Sequence, residues 1–198
     1  MEYISHLSKD KKLKSLIEAH GAFKLKKEKN ICLYLCYSIM SQQLSTKVAR
    51  VFHNRFLDLF EGKEPTAKQI AATKFETLRA IGLSNAKVNY VLNVANFELI
   101  NGMDSKNLEK MSNEEVISYL TEIKGVGRWT VEMLLMFALG REDVFSPDDL
   151  GIQNAMVEVY KINYSNKKEL IEKMKKRSEK WTPYKTYACL HLWKFKDL

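Results

Sequence analysis

The sequence predicts an all-α protein; its reading as two helical lobes with a cleft between them rests on the charge distribution along the chain. Three observations carry the helical class. Apolar residues recur at helical spacing along almost the whole chain, and alternating strand-like patterns are missing almost everywhere. Only 3 Pro and 8 Gly punctuate the 198 residues, with no Gly/Ser linker, low-complexity tract or internal repeat. Hydrophobic residues make up 45% and charged residues 28%, enough apolar content to bury a core, which excludes a disordered chain.

The helices follow in order. Leu13, Leu16 and Ile17 sit at i, i+3, i+4. The run Ile31–Met40 is nearly all apolar, as a helix buried in a bundle would be, and is too short to span a bilayer. Val48, Val51, Phe52, Phe56 and Leu59 continue the period. Val88, Val91, Leu92, Ala95 and Leu99 repeat it, as do Val116, Ile117, Leu120 and Ile123. Val131–Leu139 is apolar on most sides, and Ile171, Met174 and Trp181 mark a late helix. About ten helices joined by short turns are expected.

Charge bears on partner rather than fold. Lys plus Arg number 32 against 24 Asp plus Glu, a net +8 that favours a polyanion, most simply nucleic acid. Residues 1–30 carry eight Lys against four acids, and 161–180 carry eight Lys/Arg against three. These are either solvated helix faces or the two ends of one basic lobe. The second reading divides the chain into a central lobe, 31–140, and a discontinuous basic lobe of 1–30 and 141–198.

Cys32, Cys36 and Cys189 are odd in number and form no C-x-x-C pair. That argues against a disulfide framework, excludes a four-thiolate cluster, and fits a reduced, cytoplasmic protein. Met1–Lys14 is polar with scattered apolar residues, so no secretory signal is visible and no membrane association is expected. His6, His20, His53 and His191 lack metal-ligand spacing; His191, on a mostly apolar segment, is expected to be a hydrogen-bonded structural residue.

The segment Leu120-Thr-Glu-Ile-Lys-Gly-Val-Gly-Arg-Trp-Thr130 lies between two strong helical patterns. Its two glycines end one helix and start the next within a few residues. Amides around Gly125, Val126 and Gly127 would then stand at a helix N-terminus, a site for a phosphate oxygen. A plain tight αα turn explains G-x-G equally well. Downstream, Ser146-Pro147-Asp148-Asp149 is a good helix start, with Ser as cap, Pro in the first turn and acids at the positive end of the dipole.

Taken together, the hairpin string, Val144-Phe-Ser-Pro-Asp-Asp149, Ile39-Met-Ser-Gln-Gln-Leu-Ser45 and Trp181-Thr-Pro-Tyr-Lys-Thr-Tyr-Ala-Cys-Leu-His-Leu-Trp193 resemble the helix-hairpin-helix (HhH-GPD) DNA glycosylase superfamily. The closing segment is similar to its alkylated-base branch, the DNA-3-methyladenine glycosylase II type. The resemblance covers about residues 30 to 195. It implies base excision repair by hydrolysis of an N-glycosidic bond in double-stranded DNA, by an enzyme able to work as a monomer. Alkylated purines of the 3-methyladenine and 7-methylguanine type are the implied substrates. Deaminated or oxidised purines, or a damage-binding protein without catalysis, are the alternatives.

Residue roles follow from the same resemblance. Asp149 matches the catalytic carboxylate; it would stabilise positive charge developing on the sugar and orient or deprotonate the attacking water. Capping alone is the competing explanation for both Asp148 and Asp149. Trp129 stands where bifunctional members carry a Schiff-base Lys, so a monofunctional enzyme that leaves an abasic site is implied. Trp129 and Trp193 match walls of the base pocket, with Tyr184, Tyr187 and Met133 as further candidates; core filling is the alternative for each Trp. Gln43, with Gln42 and Leu44 beside it, fits a wedge that enters the duplex as the base is extruded, or an ordinary polar helix end. Lys87, Lys124, Arg128 and Thr130, with the hairpin backbone, are candidates for DNA contact, although Lys87 and Arg128 would also be at home in solvent. Main-chain carbonyls near Thr121, Ile123 and Val126 would hold a monovalent cation, Na+ or K+. No cofactor is required, and the three Cys exclude the iron–sulfur cluster of some members. The short lead before the S-Q-Q-x-S motif implies no extra N-terminal α/β domain.

Overall fold

A computed structural model describes residues 1–196. Its regular structure is entirely helical, with no strand among the described residues. The helices are α1 (Glu2–Leu7), α2 (Lys11–His20), α3 (Ile31–Ser41), α4 (Thr46–Asp58), α5 (Ala67–Ala72), α6 (Phe75–Ala80) and α7 (Asn85–Asn101). They continue with α8 (Ser105–Leu108), α9 (Asn113–Thr121), α10 (Arg128–Phe137), α11 (Leu150–Tyr160), α12 (Lys167–Ser178), a 3-10 turn at Glu179–Trp181, and α13 (Lys185–Lys196). The surplus over expectation is α5, α6 and α8. With 6, 6 and 4 residues they are too short to repeat an apolar period.

The chain forms two compact units: Met1–Lys26 with the chain from Leu135 onward, and Lys27–Leu134. The second division falls inside α10, at a place apolar spacing does not mark.

In the unit Lys27–Leu134, α3 is the central helix. Ile31, Cys32, Leu33, Leu35, Cys36, Ile39 and Met40 are all buried, and α3 packs on α4 and α7. Asn30 starts it by accepting the Leu33 amide at 3.0 Å. Capping boxes at Thr66/Gln69 and Ser112/Glu115 start α5 and α9. Val88, Val91, Val94 and Ala95 form the buried face of α7. Val48, Val51 and Leu99, expected on buried faces, are exposed. In α4 the buried stripe is Ala49 and Phe56; at about 100° per residue Val51 lies on the far side of it. In α7 burial stops at Ala95, one turn before Leu99.

In the other unit α13 packs on α11 and α2. Thr186 ties the loop before α11 to α13. Its amide donates to Glu142 O at 2.9 Å, its hydroxyl to Arg141 O at 2.6 Å, and the hydroxyl oxygen accepts from Val144 N at 3.1 Å. Gln153 Nε2 donates to Pro147 O at 2.8 Å, fixing the loop to α11. Asp10 caps α2 through the Lys12 amide at 2.9 Å and accepts the Tyr160 hydroxyl at 3.0 Å. Trp181 is buried beside Phe145 and Tyr160. His191 departs from expectation. It is fully buried, yet both ring nitrogens lack a hydrogen-bond partner. Phe23 packs edge-on to its ring at 4.7 Å and His20 stacks at 5.7 Å, so its surroundings are rings rather than acceptors. Burial and the neighbouring His20 push it down to about 4.

Candidate active site

Asp149 is the N-cap of α11. Its Oδ1 accepts the Ile152 amide at 2.8 Å and the Trp193 indole N–H at 2.9 Å. Capping and a held carboxylate are therefore both real; the first is the means to the second. Asp148 differs: its side chain is 54% exposed and pairs with Lys167 at 3.6 Å. Two N–H donors thus converge on one side-chain oxygen of Asp149 at the start of α11.

The aromatic candidates of this unit separate. Trp193 reaches Asp149 and lies against Phe137, with ring centroids 5.8 Å apart. Tyr187 is buried, stacks on Tyr3 at 3.9 Å, and donates its hydroxyl to Glu142 at 2.8 Å. Tyr184 donates to Glu2 at 3.1 Å and leans on the same cluster. Both hydroxyls are engaged within this unit, and Tyr187 is buried while Tyr184 is half-buried. Tyr187 is six residues from Trp193 along α13, about 9 Å at 1.5 Å per residue.

The unit Lys27–Leu134 holds the hairpin. Gly125 has φ +106, and a Cβ on it would meet Tyr90 Cγ at 2.2 Å. Glycine is required there twice over. Gly127 is the opposite case: a Cβ would meet nothing within 4 Å, so no intramolecular contact demands glycine. The Val126 amide donates to Ile123 O at 2.9 Å, so it closes the turn rather than pointing outward as expected. Asn93 Nδ2 donates to Lys124 O at 3.1 Å and holds the turn from α7. Thr121, the last residue of α9, donates its hydroxyl to Ile117 O at 2.7 Å. The end of α9 thus presents carbonyl oxygens close in sequence to the amide end of α10.

Arg128 is committed within the protein. Its Nε donates to Glu132 at 3.0 Å and Nη1 to Glu114 at 3.0 Å, and these carboxylates hold its guanidinium charged. Glu132 and Thr130 are buried. Trp129 is 45% exposed, unusual for so large an apolar side chain. Met133 is buried, and its carbonyl accepts the Tyr34 hydroxyl at 3.2 Å.

Between α3 and α4 the chain turns through Gln42, Gln43 and Leu44. Gln43 is exposed with φ +60, so its side chain leaves the turn from a left-handed backbone. Leu44 is half-buried over a cavity of about 290 Å³ lined also by Ser41, Thr46, Ala49, Arg50 and His53. Lys87 does not stand in solvent. Its Nζ donates to Met40 O at 2.9 Å and Gln42 O at 2.8 Å, clamping this turn, and burial lowers its ammonium pKa.

Sequence reasoning missed Gly151, whose Cβ would crowd Asp149, and Tyr90 and Asn93, which hold the hairpin. A Gly two residues after Asp149 was the only available signal. Among the described residues no group of three or more His, Cys, Asp or Glu is placed to hold a metal ion. No helix among them is long and apolar enough to cross a membrane.

Residues 36–183 match the family described as HhH-GPD superfamily base excision DNA repair protein. The chain is 39% identical over 166 residues to DNA-3-methyladenine glycosylase 1 of Schizosaccharomyces pombe (strain 972 / ATCC 24843), covering 83% of this chain and 72% of that one. It is 35% identical over 199 residues to alkylbase DNA glycosidase-like protein mag2 of the same organism, covering 98% and 92%. The solved structure of S. pombe 3-methyladenine DNA glycosylase (Mag1) in complex with abasic DNA aligns with TM-score 0.85 and 36% identity, over 100% of this chain and 98% of that one. A DNA-3-methyladenine glycosidase from Bacillus halodurans aligns with TM-score 0.83 and 35% identity, over 96% and 86%. The chain belongs to the HhH-GPD superfamily of base excision DNA repair proteins.

Proposed function

We propose that this protein is a monofunctional DNA glycosylase that excises alkylated purines of the 3-methyladenine and 7-methylguanine type from double-stranded DNA. The observation that carries the reading is the anchored Asp149 carboxylate, in a chain similar to named 3-methyladenine glycosylases. As the base departs with the electrons of its glycosidic bond, the sugar becomes cationic. Asp149 offsets that charge. Water then bonds to the anomeric carbon and its proton passes to the carboxylate. Trp129 offers no amine, so no Schiff base forms and the strand is left uncut. The reaction consumes only water and requires no cofactor.

Alkylation at these ring nitrogens makes a purine cationic, and an indole face attracts such a base by stacking and cation–π contact. The exposed Trp129 and the Asp149-bound Trp193 offer such faces, with Met133 beside Trp129 on α10. Gln43 is the wedge, with Gln42 and Leu44 shaping its turn. The α10 N-terminus at Gly127 binds phosphate, and Lys124 adds charge. Carbonyls of Thr121, Ile123 and Val126 would hold Na+ or K+, whose charge would attract the same phosphate; the Ile123 oxygen, which accepts the Val126 amide, keeps a second lone pair for such a hard cation. One chain carries all these groups, so a monomer suffices. It would work in the cytoplasm, at the nucleoid if the cell is prokaryotic.

Incubating the purified protein with methylated duplexes tests this. Free 3-methyladenine should appear, with an intact strand carrying an abasic site. A borohydride-trapped adduct would contradict the water mechanism. Release confined to hypoxanthine or 8-oxoguanine duplexes would contradict the substrate class.

A further inference from the structure

Trp193 has two distinct surfaces. Its ring faces are suited to a flat base, whereas its edge carries one N–H donor and no acceptor. That donor reaches Asp149 Oδ1 at 2.9 Å. The same oxygen accepts the Ile152 amide at 2.8 Å. Helix capping alone accounts for the second bond and not for the first. The torsion that turns a carboxylate plane is broad and soft. With two donors from different elements converging on one oxygen, turning the plane breaks at least one bond, so the direction of Oδ2 is fixed as well.

Gly151 belongs to the same arrangement. Its φ is outside the left-handed region, so its conformation does not call for glycine. Its surroundings do. A Cβ there would lie 3.1 Å from Asp149 Oδ1, 3.1 Å from Trp193 Cδ1 and 3.3 Å from Trp193 Nε1. A Cβ at this position crowds both ends of the bond, so Asp149 or the indole would have to give by a few tenths of an ångström.

We propose that Trp193 and Gly151 are positioning residues for Asp149: the indole N–H holds the carboxylate in its working orientation, and the missing side chain leaves room for that bond. The inference rests on the reading of Asp149 as the catalytic carboxylate. Its physical basis is preorganisation, since a charge aimed in advance at the developing cation need not reorient as the bond breaks. Trp193 itself is held by Phe137 and by the packing of α13 on α11, so the donor has a fixed base.

Trp193→Phe keeps an aromatic face and deletes the donor. The test compares wild type, Trp193→Phe, Gly151→Ala and Asp149→Asn on a 3-methyladenine duplex, reading single-turnover release, duplex Kd and melting temperature. Trp193→Phe and Gly151→Ala should each slow release by about tenfold or more, the usual effect of losing a hydrogen bond to a charged group. Duplex Kd and melting temperature should stay near wild type. A wild-type rate in both variants overturns the proposal, and so does a weakened Kd with an unchanged rate, which would make Trp193 a pocket wall only. Should Trp193→Phe fold poorly, Gly151→Ala carries the same test without touching the indole. If Asp149→Asn releases base at the wild-type rate, the catalytic reading fails, whatever the other variants do. If only Asp149→Asn is slow, that reading stands and this one falls.

Discussion

A Cβ built on Gly125 would lie 2.2 Å from Cγ of Tyr90, so the hairpin backbone rests directly on that ring. At Gly127 the same construction meets nothing within 4 Å. Internal packing therefore demands glycine at Gly125 and makes no such demand at Gly127. Gly125→Ala should destabilise the fold by about 2 kcal/mol or more, through left-handed strain plus overpacking. Gly127→Ala should change stability by no more than about 0.5 kcal/mol and still weaken duplex binding. Chemical denaturation and duplex titration of the two variants check this. Equal loss of stability in both would remove the argument for an external phosphate at Gly127.

Lys87 offers a second test. It clamps the Met40 and Gln42 carbonyls and so holds the turn that presents Gln43. Lys87→Met should cost about 1–3 kcal/mol, since charged hydrogen bonds to two buried-side carbonyls are lost. Base release should fall too, because the turn that carries the proposed wedge, Gln43, loses its clamp. A variant that loses only salt-dependent DNA affinity would show Lys87 to be a phosphate ligand instead.

Two tryptophans of similar size should behave in opposite ways. Trp181 is 1% exposed and Trp129 45% exposed. Trp181→Ala should lose about 3–5 kcal/mol of stability. Trp129→Ala should lose much less stability than Trp181→Ala and lose roughly tenfold or more in excision, the scale of one stacking contact. Thermal melts beside single-turnover assays separate the two.

The buried His191 gives a pH dependence. Burial, then His20, pushes its pKa from 6.5 to about 4, and His20 is lowered as well. Between those pH values the unfolded chain takes up a proton that the folded chain refuses. Stability is therefore fully present above about pH 6.5 and falls as pH drops towards 4, by something on the order of 3 kcal/mol. His191→Phe should flatten that acid slope. An unchanged slope would show that other groups set it.

The sequence was informative wherever one residue type did one job. The apolar run Ile31–Met40 was legible as a helix signal, and four short motifs together singled out Asp149, Trp129 and the hairpin. It was silent wherever a role depends on a distant neighbour. Nothing local to Lys87 shows that two carbonyls more than forty residues earlier will take its charge. Nothing local to Tyr187 shows that Tyr3 and Glu142 will occupy it, and Arg128 reads as a surface cation until Glu114 and Glu132 are seen beside it. Trp193 was legible as an aromatic surface, but its N–H edge acquires a purpose only once α13 brings it to Asp149.

The central claim is that Asp149 is the carboxylate that meets the sugar cation. Release of 3-methyladenine from methylated duplex by wild type and by Asp149→Asn tests it most directly, with duplex binding measured in parallel. Asn keeps a side-chain oxygen for the Ile152 and Trp193 N–H groups but removes the charge. The account predicts that Asp149→Asn binds the duplex as wild type does and loses release by about a hundredfold or more. Equal release by the two proteins would contradict it.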